Sequence, residues 1–178
     1  VKADSPVEVN EVFRRLNTGG VALTQLELVL GKIKAVHSDY EEKLWALSAE
    51  IANKSGGIEF SSTSILQFFH LLIKNTIRID EGRLDSNDIQ AFQNALESDS
   101  EPLIEVFSGY LKGLLNINHA SIVPRWSAVL PIAAYLTELK RHDHEWRIRT
   151  WDESEVQLIH QYFLLSQLCD WNTQTMIN

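Results

Sequence analysis

Two adjacent arginines stand just before a polar turn that ends in two glycines, and this pattern could bind an anion. A guanidinium group matches the oxygens of a phosphate, and backbone amides in a glycine turn can approach a ligand closely. The helix predicted to begin at Thr24 would direct its positive end towards the same region. From the residue types alone, the predicted anion site comprises an arginine, Arg14 or Arg15, and the backbone amides of Thr18, Gly19 and Gly20.

The two arginines differ in their predicted surroundings on the helix that precedes the turn. Glu11 stands four residues before Arg15, which is the favourable arrangement for an ion pair along a helix. Arg14 falls on a polar flank without a carboxylate and is the freer of the two for a ligand. Because an ion pair can also orient a guanidinium towards a ligand, the choice between them stays open.

The same residues also fit a plain corner between two helices. Asn17 and the glycines tolerate the left-handed conformation that closes a helix. A capping box is predicted at Thr24, with Glu27 three residues further on. In this alternative the turn satisfies backbone geometry and binds no ligand.

A second candidate site is the stretch 140–151, in which basic residues and tryptophans are interleaved. Cations beside aromatic rings suit a DNA backbone or an exposed nucleotide. The alternative is a solvated loop whose tryptophans anchor it to the core. His142 and His144 lack the spacing of a helical zinc pair, so no metal site is predicted. The candidate nucleic-acid contacts are Lys140, Arg141, Trp146, Arg147 and Arg149.

The stretch from Phe13 to Gly20, with its continuation Leu23-Thr24-Gln25-Leu26-Glu27-Leu28, carries a family resemblance. It resembles the Phe-x-Arg-[Leu/Ile]-Asn-Thr-Gly-Gly…Leu-x-x-x-Glu-Leu segment of the GmrSD-type family, also catalogued as the domain-of-unknown-function 262 family. That family supplies the N-terminal domain of several modification-dependent restriction systems. Its pattern puts the motif arginine at Arg15, whereas helix geometry favours Arg14. The resemblance implies a nucleotide-binding set that comprises Phe13, Arg14, Arg15, Asn17, Thr18, Gly19 and Gly20.

Two other motifs of that family are absent from this sequence. Family members carry Asp-Gly-Gln-Gln-Arg in an N-terminal ParB/sulfiredoxin-like α/β portion associated with nucleotide binding and hydrolysis. Many add an HNH-type nuclease domain with a His-x-x-Pro signature. Because the chain also starts without a methionine, the resemblance implies a helical segment of a larger α+β protein. The segment is expected to be inactive alone and to complete a nucleotide pocket with the missing α/β portion.

The resemblance also implies cofactors and partners for the full protein. According to the resemblance, the full protein can bind a nucleoside triphosphate and a divalent metal, whereas the segment alone binds no cofactor. The implied partners are the missing N-terminal α/β portion, a C-terminal nuclease domain and DNA, and a homo-oligomer is left open. The competing hypothesis is a noncatalytic interaction or interdomain scaffold bundle, which predicts a large exposed apolar face.

Helical spacing of apolar residues runs through the sequence, and neither strand alternation nor a repeat competes with it. The predicted fold is all-α, an irregular bundle of about eight or nine helices in one domain without a clear internal boundary. The corner that carries the first candidate site occupies residues 6–37. The run 65–73 is apolar on nearly every side, which predicts a buried central helix and not a strand.

Capping signals and prolines predict where several helices begin. Further capping boxes are predicted at Ser38 with Glu41 and at Thr150 with Glu153. Pro131 either kinks a helix or marks a new one. If a new helix begins there, Ser127 would be its cap. A separate helix is predicted after Pro102, with one buried face that carries Leu103, Phe107, Leu111 and Leu114.

Composition limits the classes of function. The 178 residues are 44% hydrophobic and carry a formal net charge of −8, so DNA contact can only be local, because nonspecific binding depends on neutralising phosphates. The single cysteine excludes an internal disulfide. Neither a long apolar span nor a charged leader is present, so a cytoplasmic protein without membrane partners is expected.

Overall fold

The computed structural model of the chain describes residues 24–76 and 78–168, and all regular structure among them is helical. The all-α prediction is confirmed for these residues. The α-helices are α1 (Gln25–Val36), α2 (Tyr40–Ser55), α3 (Ser62–Lys74), α4 (Ser86–Ser98), α5 (Ser100–Glu105), α6 (Val129–Arg141) and α7 (Glu153–Leu168). A π-helix spans Val106–Leu114, and 3-10 turns span Glu81–Arg83, Ala120–Ile122, Trp126–Ala128 and Ile148–Thr150.

The chain forms two compact units, although no internal boundary was apparent in the sequence. The first contains the described residues up to Ser48 together with Phe60–Asp99. The second contains Ala49–Glu59 and the described residues from Ser100 onwards. Within the first unit, α1 packs against α3, α4 and the turn Glu81–Arg83.

The central helix predicted over 65–73 is confirmed as α3. Ser61 caps it by accepting a hydrogen bond from the Ser64 amide at 3.1 Å. Its buried side chains form the middle of the first unit because the helix is apolar over most of its circumference. They are Ile65, Leu66, Phe68, Phe69 and His70.

The helix starts of the first unit follow the predicted pattern at some positions only. The capping box of Thr24 and Glu27 is present at the start of α1. The helix after it begins at Tyr40, which places Asp39 at the cap position, and the Glu41 carboxylate pairs with Lys34. The predicted capping box of Ser38 with Glu41 was therefore wrong. A capping box that was not predicted, at Asp85 with Asp88, starts α4.

The second unit contains an unpredicted π-helix that continues directly from α5. Leu103, Phe107 and Leu111 are buried as predicted, but Leu114 is 43% exposed, so its assignment to the same face was wrong. The π-helix closes with a hydrogen bond from the Leu115 amide to the Tyr110 carbonyl, five residues back. Each residue of this wider helix advances through a smaller angle, and the α-helical periodicity therefore fails at the far end.

The starts of α6 and α7 correct two predicted caps. A new helix does begin near Pro131, but its cap position is Ala128 and no side chain caps it, so the predicted Ser127 cap was wrong. The box before α7 consists of Asp152 and Glu155 rather than Thr150 and Glu153. The Asp152 carboxylate accepts from the Glu155 amide at 3.0 Å, and the Glu155 carboxylate accepts from the Asp152 amide at 3.2 Å.

Within residues 24–76 and 78–168, no helix combines the length and the apolar character that crossing a membrane requires.

His70 makes the stability of the first unit depend on pH. Burial lowers the pKa of its imidazole below the ordinary value of 6.5, although the Thr76 carbonyl, 3.1 Å from Nδ1, opposes the shift. The unfolded chain therefore takes up a proton that the folded chain resists. We expect the free energy of unfolding to fall as pH decreases below about 6.5, by at most about 1.4 kcal/mol per pH unit from this residue.

Urea unfolding at several pH values measures this effect. A His70→Gln variant should show a flatter decline than the wild type. His119→Gln is the control, because His119 is exposed. Equal slopes for wild type and His70→Gln would show that His70 does not cause the dependence.

Candidate functional site

The first predicted site lies outside the described residues. Its members are Phe13, Arg14, Arg15, Asn17, Thr18, Gly19 and Gly20, and what the structure describes is the start of the helix that follows them. At that start the Glu27 carboxylate accepts hydrogen bonds from the Thr24 amide at 2.6 Å and from the Thr24 hydroxyl at 2.9 Å. The backbone hydrogen bond holds the pKa of Glu27 below its usual value. The positive end of α1 is therefore already occupied by a carboxylate, which reduces its attraction for a phosphate.

The second predicted site, residues 140–149, is described. Lys140 and Arg141 form the last turn of α6, and Arg149 lies in the turn Ile148–Thr150. The Lys140 ammonium lies 3.1 Å from the Glu101 carboxylate. The Arg141 guanidinium lies 2.9 Å from the Glu138 carboxylate.

Trp146 and Arg147 form the centre of this loop. The Arg147 guanidinium carbon lies 4.4 Å from the centre of the Trp146 ring, and the Lys140 ammonium lies 5.5 Å from it. Arg147 also lies 4.0 Å from the carboxylate of Glu105, whose side chain is only 6% exposed. The turn that follows Arg147 packs against the π-helix and buries Ile148.

These contacts favour the anchored-loop alternative for residues 140–149. Three of the four basic residues face a carboxylate, and phosphate would have to compete with those partners. The rings of His142 and His144 are 6.5 Å apart. Among the described residues, no three His, Cys, Asp or Glu side chains come together as a metal-binding group.

On another side of the same loop, α6 and α7 enclose a groove of about 670 Å³ within the second unit. This volume is in the range of small-molecule sites. The helix α6 and the loop supply Pro131, Ile132, Tyr135, Leu139, His144, Glu145 and Trp151. The helix α7 supplies Glu155, Leu158, Ile159 and Tyr162.

Aromatic rings dominate the middle of this groove. The rings of Tyr135 and Trp151 meet edge to face, with their centres 6.1 Å apart. The Trp151 indole donates a hydrogen bond to the Glu145 carbonyl at 3.0 Å, which fixes the indole against the loop. Tyr135 remains 53% exposed although it is a large aromatic side chain. The groove therefore presents apolar surface to solvent, and the indole on one of its walls is fixed by a hydrogen bond to the loop.

The groove was not predicted from the sequence, although the spacing of some of its lining residues is visible there. Pro131, Tyr135 and Leu139 recur at intervals of four, so they share one face of a helix. Glu155, Leu158 and Tyr162 share a face in the same way. Two such faces become a groove only when the two helices are placed side by side, and that placement depends on tertiary packing.

Comparisons of the chain with family models, with curated proteins and with solved structures found no match.

If the loop is anchored, its two arginines should differ in their effect on stability. Arg147→Ala would leave the buried Glu105 carboxylate without its cation, and we expect a loss of about 2 kcal/mol in the free energy of unfolding. Arg149→Ala should change it by less than about 0.5 kcal/mol, because Arg149 is exposed. Chemical denaturation of both variants measures the difference. Equal effects would contradict the anchoring role of Arg147.

Proposed function

We propose that the described part of this chain is a noncatalytic helical bundle that binds another protein surface through α7. The observation that carries the proposal is an exposed row of leucines on this helix. Their side chains are between 47% and 80% exposed, an unusual state for several large aliphatic residues on one helix. The four residues, here named the leucine stripe, are Leu158, Leu164, Leu165 and Leu168.

The leucine stripe is separate from the face that α7 buries in its own unit. At about 100° per residue, its four members fall within a third of the helix circumference. Ile159, Phe163 and Ser166, which are buried, fall on a different side. A helix with two apolar sides, of which one is exposed, is typical of a segment that another protein surface covers.

The family resemblance suggests what that surface is. In a GmrSD-like, nucleotide-dependent restriction or phage-defence protein, the helical part would pack against an N-terminal α/β portion. The described helices would then support a nucleotide pocket and transmit its state to a nuclease domain. The support for this partner is the resemblance of the segment Phe13 to Gly20, and the exposed leucine stripe is consistent with it.

The leucine stripe should make the chain self-associate when its partner is absent, because contact between stripes removes apolar surface from water. Replacing Leu164 and Leu168 together by Gln should weaken this association about tenfold or more, about 1.4 kcal/mol. Sedimentation velocity over a concentration series measures it.

The matched control replaces two exposed apolar residues of the first unit, Val36 and Trp45, by Gln. This control removes a comparable amount of exposed apolar surface and should leave self-association unchanged. A wild-type chain that stays monomeric throughout, or a control as weakened as the stripe variant, would overturn the proposal.

A second candidate function is nucleotide binding through the corner of residues 6–37. It is favoured by the family resemblance of the segment Phe13 to Gly20. In this proposal Arg15 or Arg14, Asn17 and the amides of the following turn hold the phosphates. The Glu27 carboxylate lies at the positive end of α1 and weakens the attraction of this helix end for a phosphate. The arginine therefore has to supply most of the positive charge.

Calorimetric titration with ATP and with GTP, each with Mg²⁺, tests this candidate. We expect binding only by a form of the chain extended upstream of Val1, and its loss on Asn17→Ala or Arg15→Ala. Arg149→Ala removes the same charge elsewhere and should retain binding. Normal binding or hydrolysis by the Asn17 and Arg15 variants, or no binding by a folded extended protein, would exclude the nucleotide pocket.

A further inference from the structure

The groove between α6 and α7 combines three aromatic side chains with an acidic rim. Tyr135 and Trp151 form an edge-to-face pair on one part of its wall, and Tyr162 extends from α7 on another. The face of an aromatic ring carries negative electrostatic potential and attracts cations within about 6 Å. Such a wall can therefore bind a positive group as well as an apolar one.

The acidic groups of the lining are the carboxylates of Glu145 and Glu155. The described lining includes neither lysine nor arginine, and its one basic group is the imidazole of His144. Each carboxylate accepts one backbone hydrogen bond, Glu155 from the Asp152 amide at 3.2 Å and Glu145 from the Arg147 amide at 3.4 Å. These bonds position the two side chains, and a carboxylate has lone pairs for further partners.

The nearby cations do not neutralise this acidic rim, because they have other carboxylate partners. Lys140 pairs with Glu101, and Arg147 pairs with Glu105. None of these four side chains is part of the groove lining. Since the whole chain also carries a net charge of −8, the electrostatic preference of the groove is for a positive ligand.

We propose that this groove binds a small organic cation with an apolar body, such as a quaternary ammonium joined to a ring. The aliphatic walls formed by Ile132, Leu139 and Ile159 would take up the apolar body. The rings of Tyr135 and Trp151 and the carboxylates of Glu145 and Glu155 would surround the positive group. Binding draws on apolar burial and on cation–π attraction together, so a ligand with only one of these properties binds more weakly.

Three probes of similar shape and different charge test the proposal. They are benzyltrimethylammonium, the neutral benzyl methyl sulfone and the anionic phenylmethanesulfonate. Each is titrated into the whole chain, with binding followed by calorimetry and by the NMR signal of the Trp151 indole N–H. We expect the cation to bind about tenfold more tightly than the sulfone. The sulfonate should bind more weakly than either.

Matched variants locate the binding. Trp151→Leu should abolish cation binding, whereas Trp45→Leu, which changes an exposed tryptophan outside the groove, should leave it intact. Circular dichroism checks that Trp151→Leu is folded. Glu145→Gln combined with Glu155→Gln keeps the shape of both side chains, and glutamine can still accept the capping hydrogen bond of α7. This double variant should lose most of the preference for the cation over the sulfone.

Three results would overturn the proposal. The first is no binding of the ammonium probe to the wild-type chain. The second is sulfone or sulfonate binding as tight as cation binding, which would indicate an apolar groove without charge selection. The third is an unchanged cation preference in the double variant. Leu158 of the leucine stripe also lines the groove, but Leu164 and Leu168 do not, so the variant that replaces these two leucines should bind the cation normally.

Discussion

The carboxylate of Glu105 is the buried charge on which the arrangement of the second unit depends. A carboxylate that is 94% removed from solvent is costly unless a cation lies nearby, and Arg147 supplies that cation at 4.0 Å. The pair joins the end of α5 to the loop after α6. Because the turn Ile148–Thr150 follows at once and packs on the π-helix, the same pair sets where Trp151 lies. The groove wall is therefore positioned by an ion pair outside the groove.

The π-helix is built around the same carboxylate. A Cβ atom placed on Gly109 would lie 2.5 Å from Glu105 Oε1, so the glycine leaves the space that the carboxylate occupies. That oxygen has no hydrogen-bond partner among the described residues, and neither does the hydroxyl of Tyr110 on the next turn of the π-helix. Burial raises the pKa of Tyr110, which keeps its hydroxyl protonated. Most buried polar atoms have a hydrogen-bond partner, and long π-helices are rare, so the segment around Glu105 departs from both patterns.

Local signals predicted much of the helical architecture, and the errors occur where tertiary contacts decide. The Thr24 box and the buried α3 follow from residues close in sequence, so spacing alone was sufficient. The predicted box at Thr150 failed because the Thr150 hydroxyl donates to the Arg147 carbonyl at 2.7 Å, within the turn that the ion pair fixes. The assignment of Leu114 failed because periodicity assumes an α-helix. The groove could not be predicted, since its two walls are separated in sequence and meet only through packing.

In the loop between α6 and α7, the charge that a surface presents depends on how the side chains pair as well as on composition. Counted by residue type, the stretch 140–151 is rich in cations, and a DNA contact was a reasonable hypothesis. In the structure Lys140, Arg141 and Arg147 each face a carboxylate from α5 or α6. The carboxylates of Glu145 and Glu155 instead line the groove. A groove bordered by a segment that is basic in sequence thus carries carboxylates from that segment and from α7, and the ligand that suits the groove is a cation rather than a phosphate.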